Sequence, residues 1–209
     1  MVANYSQKLT QHLSEQLDER GRHYLRYIND GADHARILIN DVLSFSRIGT
    51  ETEKPELIKC LEVLEMVLRM LRGSLEQSHA MLTHDPLPVL RIHRTHLVQL
   101  LQNLISNAIK FRSTEPLKIH IGVRPVDHFW EISVQDNGIG ISEQYQHKIF
   151  EIFQRLHKRT EYPGSGIGLA VCKKIVEQYH GTISLSSKPG KGSCFTFTLP
   201  MADAATGSL

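Results

Sequence analysis

Apolar residues recur at helical spacing from Met1 to Thr50, a stretch without proline. Val2, Tyr5, Leu9, Leu13 and Leu17 form one stripe, and a polar break follows at Asp18–Gly21. A second stripe, Tyr24, Ile28, Gly31, Ala35, Leu38, Val42 and Phe45, steps alternately by four and three. That rhythm is the seam of a helix packed against partners in a bundle. Two such helices joined by a short turn predict an antiparallel hairpin. A lone hairpin buries so much apolar edge poorly, so self-association into a four-helix bundle is expected. Packing on the chain's own second domain is the alternative that periodicity leaves open.

The sequence turns polar from Thr50 to Lys54, just before Pro55. Proline disfavours helix in the residue preceding it, which makes this the predicted linker. A helix is expected over Cys60–Gln77, with Leu61, Leu64, Val67, Leu68 and Leu71 on one face. Short strands are expected around Ala80–Leu82 and Val89–Leu90. The next helix, about Thr95 to Phe111, buries Leu97, Leu101, Leu104, Ala108 and Phe111, while Gln99, Asn103, Asn107 and Lys110 share a second face. Two alternating strands follow: Leu117, Ile119, Ile121 and Val123, then Trp130, Ile132 and Val134. Period-two alternation of this kind marks strands with one covered face. A helix from Gly166 to Tyr179 and strands over Thr182–Ser186 and Cys194–Leu199 complete the pattern, and the small, polar tail from Met201 is expected to fray. The order predicts an α+β fold, a helical hairpin followed by a two-layer α/β sandwich with helices on one face of a mixed, largely antiparallel sheet.

Composition sharpens this mainly by exclusion. Hydrophobic residues at 41% and charged residues at 22% of the 209 are ordinary for a globular chain. A formal net charge of +2 carries no basic stripe of the kind nucleic-acid binders show. No apolar run reaches the ~18 residues of a membrane span. Cys60, Cys172 and Cys194 lie far apart, which suits small buried hydrophobes in a reducing compartment, and a cytoplasmic location is expected.

The candidate chemistry lies between Asn103 and Gly168. Asn103 and Asn107 are poor helix formers spent mid-helix, a local conflict that hints at function. Asp136, Gly138 and Gly140 form a turn directly after a strand. A carboxylate there can accept from an exocyclic amine while bare backbone lets a flat base approach; an Asx turn is the other reading. Gly164, Gly166 and Gly168 precede a helix, where backbone N–H groups can meet phosphate. Their GxGxG spacing fits neither the dinucleotide fingerprint nor the protein-kinase loop, both GxGxxG, and a Walker A lysine motif is absent. Alone, such a cluster serves equally well as a structural turn. Asn107 offers an oxygen to a hard cation such as Mg²⁺, and Lys110, one turn on, a point charge to a terminal phosphate.

Together these motifs resemble the N box, two glycine boxes and F box of the ATP-binding domain of sensor histidine kinases, the Bergerat fold. Asn103–Lys110 matches the N box, Asp136–Gly140 the first glycine box, Ile149–Phe153 the F box and Gly164–Gly168 the second glycine box. Gly192–Phe195 resembles the closing strand, with Ser193 in place of threonine, and Asn40–Arg47 the end of the second dimerisation helix. Phe153–His157 and Gly168–Lys174 have the flavour of phytochrome-like sensor kinases. The resemblance implies a dimerisation hairpin over 1–50, an ATP-binding domain over 51–200 and a disordered tail over 201–209. It implies ATP and Mg²⁺ as cofactors, with Asp136 reading adenine, Asn107 holding Mg²⁺, and Asn103 and Lys110 reaching Mg²⁺ or phosphates. Gly138, Gly140, Gly164, Gly166, Gly168, Leu169 and Ser193 would line the nucleotide. Phe150 and Phe153 would anchor a lid over Gln154–Ser165 that carries Arg155 towards the phosphates. Implied partners are a second copy through the hairpin and a response-regulator receiver domain; no nucleic acid is implied.

One family feature has no match. The phosphoacceptor box is His-(Glu/Asp)-Leu-x-x-Pro, yet His12, His23 and His34 are followed by Leu13, Tyr24 and Ala35. The start of the chain resembles the helix just after that box. A piece of a larger kinase is the preferred account, ahead of a natural acceptor-less protein acting in trans and of a surrogate acceptor such as His12 or His34. The rival function class is a non-catalytic nucleotide-binding or interaction module of the same fold.

Overall fold

The computed structural model describes residues 18–50, 54–156, 161–162 and 164–202, with the side chain of His34 left out. The first hairpin stripe with His12, most of the polar linker, part of the lid segment and the end of the tail lie outside the described residues. The polar break at Asp18 proves to be a helix start. Asp18 is extended and accepts from the Gly21 N–H at 2.7 Å, capping α1 (Glu19–Arg47). Arg47 closes the last turn, where a cation suits the helix dipole.

The second stripe divides along α1. Leu38 and Phe45 pack on the core of the following domain, and Ile48 beyond the helix is buried. Tyr24, Ile28 and Val42 are exposed, at 64%, 47% and 44%. The part of the seam covered within one chain is thus covered by the chain's own second domain.

That domain begins with β1 (Glu56–Lys59), antiparallel to β3 (Val89–Ile92), where Ile58 faces Leu90 and both are buried. The expected helix over Cys60–Gln77 is two helices, α2 (Cys60–Met70) and α3 (Arg72–Ser78). The chain turns at Leu71 (φ −95°, ψ 5°), two residues before Gly73, a residue that holds helical backbone weakly. After β2 (Met81–His84) come α4 (Arg94–Lys110), β4 (Lys118–Val126) and β5 (Phe129–Asp136). The short α5 (Glu143–Gln146), α6 (Gly168–Gln178), β6 (Ile183–Ser187) and β7 (Ser193–Pro200) follow.

Five strands form one sheet in the order β2-β4-β5-β7-β6, parallel only between β2 and β4. The sheet is mixed and largely antiparallel, with the helices on one face. Ile119, Ile121, Ile132, Val134 and Phe197 of its inner face belong to the same core as Leu97, Leu100, Leu104 and Ile105 of α4 and Ile175 and Val176 of α6. α4 is apolar over a wider arc than a single stripe because it packs against α2 and α6 as well as the sheet. Burial pushes the Cys60 and Cys172 thiols up to about 12, so both are inert core groups. Among the described residues no helix is long and apolar enough to cross a membrane.

Candidate functional site

The unburied face of α4 forms the floor of a cavity of about 280 Å³. Asn103, Asn107 and Lys110 reach it at steps of four and three, joined by Ser106. β5 delivers Asp136 to one wall, the turn after it delivers Ile139, Gly140 and Ile141, and β7 delivers Ser193 and Phe195. Arg155, Gly164, Gly166, Gly168 and Leu169 close the opposite side. The motifs read separately along the chain thus meet in one cavity. Ile37 and Asp41 of α1 also line it, a contribution the sequence did not suggest.

Asp136 is held by its own loop. Its Oδ1 accepts from the Gly138 N–H at 2.8 Å and the Ser193 N–H at 3.2 Å. Among the described hydrogen bonds none goes to Oδ2. Burial pushes this carboxyl above the ordinary range, and the two backbone N–H groups partly offset that. Asn137 fixes the turn from behind: its Oδ1 accepts from the Lys118 N–H at 2.8 Å and its Nδ2 donates to the Pro116 carbonyl at 2.9 Å. Gly140 is required by contact, because at φ +71° a Cβ would stand 2.0 Å from the Lys188 carbonyl oxygen.

Asn103 and Asn107 differ. Asn103 Nδ2 donates to the Gly168 carbonyl at 3.1 Å, which bolts α4 to the first residue of α6. The Asn107 side chain makes no hydrogen bond among the described residues, so its amide faces the cavity uncommitted. One neutral amide oxygen suits a hard cation whose other ligands are phosphate oxygens and waters, so Asn107 fits the Mg²⁺ role by its chemistry.

Two cations face the glycine turn. The Arg155 guanidinium donates to the Tyr162 carbonyl at 2.7 Å and to the Gly164 carbonyl, tying together the two ends of the lid segment. Burial, with repulsion from Arg155, pushes the Lys110 ammonium down to about 8. Two half-buried cations side by side call for an anion between them. A bound phosphate favours charged Lys110, so binding above pH 8 must take up a proton. Phosphate affinity should therefore fall as pH rises through about 8, by up to about tenfold per pH unit. Calorimetry with ADP at about pH 9, in buffers of different ionisation heat, should register uptake of about one proton in the native chain and none in Lys110→Met. Equal proton uptake in both would remove Lys110 from the anion site.

Three expected site residues are not at the cavity. Gly138 instead packs beneath Phe111, whose carbonyl oxygen a Cβ would approach to 2.4 Å. Phe150 turns inward, its ring edge-on to Phe195 at 6.5 Å between centroids. Phe153 is 60% exposed and sits at φ +66°, so it does not anchor the lid. The ring that does face the lid is Phe111, 4.9 Å from Tyr162.

Residues 92–203 match the family model described as histidine kinase-, DNA gyrase B-, and HSP90-like ATPase. Over 200 residues the chain is 44% identical to cyanobacterial phytochrome A of Nostoc sp., covering 96% of this chain and 26% of that protein. The chain therefore spans about a quarter of that relative's length. Full-length ShkA, solved in complex with AMPPNP, has the same fold at TM-score 0.68 and 23% identity, covering 95% of this chain and 45% of that one. ThkA, solved in complex with the response regulator TrrA, matches at TM-score 0.66 and 22% identity, over 96% of this chain and 57% of that one.

Proposed function

The chain belongs to the histidine kinase-, DNA gyrase B- and HSP90-like ATPase family, as a histidine-kinase-type ATP-binding domain, and we propose that it is the catalytic core of a sensor histidine kinase. In this reading residues 51–200 bind Mg-ATP, and residues 1–50 form the hairpin through which two copies associate. The γ-phosphoryl group passes to a histidine and then to an aspartate of a response-regulator receiver domain. The observation that carries the reading is the polarity of the cavity. One end holds a carboxylate beside bare glycine backbone, and the other holds Lys110 and Arg155 at a glycine turn opening α6. A nucleotide is polarised the same way, base to phosphates.

Asp136 then accepts from the exocyclic amine of adenine, with Ile139, Ile141 and Phe195 supplying apolar contact to the ring. Asn107 would hold Mg²⁺, which when bound neutralises phosphate charge during transfer. Lys110 carries positive charge to the terminal phosphates. Asn103, through the bolt to Gly168, positions the start of α6 rather than touching phosphate. Arg155 holds the lid ends until phosphate competes for its guanidinium. The exposed residues Tyr24, Ile28 and Val42 support self-association, since one α1 leaves them uncovered.

Incubation with γ-labelled Mg-ATP tests the transfer. None of His12, His23 and His34 has an acidic neighbour after it, so this chain alone should carry no stoichiometric acid-labile label. A co-incubated helical hairpin bearing a His-(Glu/Asp)-Leu-x-x-Pro box should become labelled. Stoichiometric label on this chain would overturn the assignment of the acceptor to that box, and absence of label on both would overturn the kinase reading.

A further inference from the structure

A hydroxyl relay lies behind the base end of the cavity, and its hub, Ser187, lies outside the boxes matched above. Ser187, the last residue of β6, pairs with Ser193, the first of β7. Its Oγ accepts from the Ile141 N–H at 2.8 Å and donates to the Gly192 carbonyl at 2.7 Å. A third partner, Ser193 Oγ, lies 3.0 Å away. The Ser187 carbonyl accepts from Gln146 Nε2 at 2.8 Å, and the same amide donates to the Ile141 carbonyl at 3.1 Å. The loop carrying Gly140 and Ile141 is thereby fixed to the β6 end.

Proton counting sets the direction of this relay. A serine hydroxyl has one proton and two lone pairs. The Ser187 proton is committed to Gly192, and one lone pair is taken by Ile141. Only a lone pair is left to face Ser193, so Ser193 must be the donor in that contact. Ser193 Oγ then presents lone pairs alone elsewhere. Ser193 lines the cavity, is only 8% exposed, and bonds Asp136 through its backbone N–H. The base end of the cavity is thus bounded by two neighbouring groups that accept and do not donate.

We propose that Ser187 is a positioning residue for base discrimination: by taking the Ser193 proton it makes Ser193 Oγ a fixed acceptor beside the Asp136 carboxylate. The inference rests on the nucleotide reading above. Two acceptors match the two N–H bonds of an exocyclic amine, directly or through one water. A keto oxygen in the same place would set lone pairs against lone pairs, leaving buried groups unpaired.

Calorimetric titration with ATP and with purine riboside triphosphate, which lacks the 6-amino group, separates this from a general supporting role. Ser187→Ala frees the Ser193 hydroxyl to rotate and donate. ATP affinity should fall about five- to tenfold more than affinity for the amine-less nucleotide, which loses only the loop fixed through Ile141. Ser187→Thr, which keeps the hydroxyl, should retain the native preference. An equal loss for both nucleotides, or no loss for either, would overturn the proposal. If the native chain bound neither nucleotide, the ATP-site reading itself would fall, which is a distinct result. Should Ser187→Ala not fold, Ser187→Cys, whose sulfur is a weak acceptor for the Ser193 proton, reads the same comparison: a larger loss for ATP supports the relay, and equal loss overturns it.

Discussion

Asp136→Asn should lower ATP affinity by at least about a hundredfold while leaving the fold intact. An asparagine in this place can keep its carbonyl oxygen where Oδ1 now accepts from Gly138 and Ser193, so both backbone N–H groups stay satisfied. Its NH₂ group then occupies the position of Oδ2. A charge-assisted acceptor is replaced by a donor, and it meets the adenine amine, which is also a donor. Losing such a bond and leaving the amine unpaired in a buried site costs about 3 kcal/mol, somewhat over two orders of magnitude in Kd. Burial already disfavours the Asp136 charge, so its removal should not lower thermal stability. Calorimetry and a melting curve on the same sample read both effects. Unchanged ATP affinity would refute the assignment of Asp136 to the base.

Much of this arrangement was legible in the sequence, because the signals were local and repeated. β4 and β5 alternate strictly, and the structure buries Ile119, Ile121, Ile132 and Val134 as that alternation requires. α4 announced its two faces through four-residue steps, and Asn103, Asn107 and Lys110 of its polar row line the cavity. Where the signal was short or distant, the reading failed. β1 offers only Leu57 and Ile58, too few residues for a period to show, and it forms because β3 lies ready to pair with it. The bond from Asn103 Nδ2 to the Gly168 carbonyl could not be read from the chain, because nothing in the sequence places Gly168 within reach; tertiary packing decides that contact. Phe153 fits an apolar motif, yet its left-handed backbone turns the ring outward. Ile37 and Asp41 lie on a helix whose pattern speaks only of bundle packing. They reach the cavity because α1 docks on α6, where Lys174 Nζ donates to the Phe45 carbonyl at 2.7 Å and sits 4.4 Å from the ring centroid.

Gly192→Ala should be strongly destabilising, and a neighbouring glycine supplies its control. Both Gly190 and Gly192 lie in the turn between β6 and β7 with positive φ, +72° and +84°. An alanine in either pays for a left-handed backbone, about 1 kcal/mol. At Gly190 a Cβ meets nothing within 4 Å, so the cost ends there. At Gly192 it would stand 1.9 Å from the Asp136 carbonyl oxygen and 2.7 Å from Asn137 Cα. Those atoms are backbone, held by the pairing of Asp136 with Ile119 of β4 and by the Asn137 bonds to Lys118 and Pro116, and cannot swing aside as a side-chain end would. Relief requires the start of β7 to leave β5. That breaks the Ser193 N–H bond to Asp136 and the Ser187 bond to the Gly192 carbonyl. Strain of this kind plus two or three lost hydrogen bonds amounts to about 3–5 kcal/mol. Urea unfolding should place Gly190→Ala within about 1 kcal/mol of the native chain and Gly192→Ala several kcal/mol below it. Because the displaced strand carries Ser193 and Phe195, nucleotide affinity should fall in Gly192→Ala alone. Equal stability of the two variants would show that the turn can move away from Asp136, and the base end of the site would then have no rigid wall.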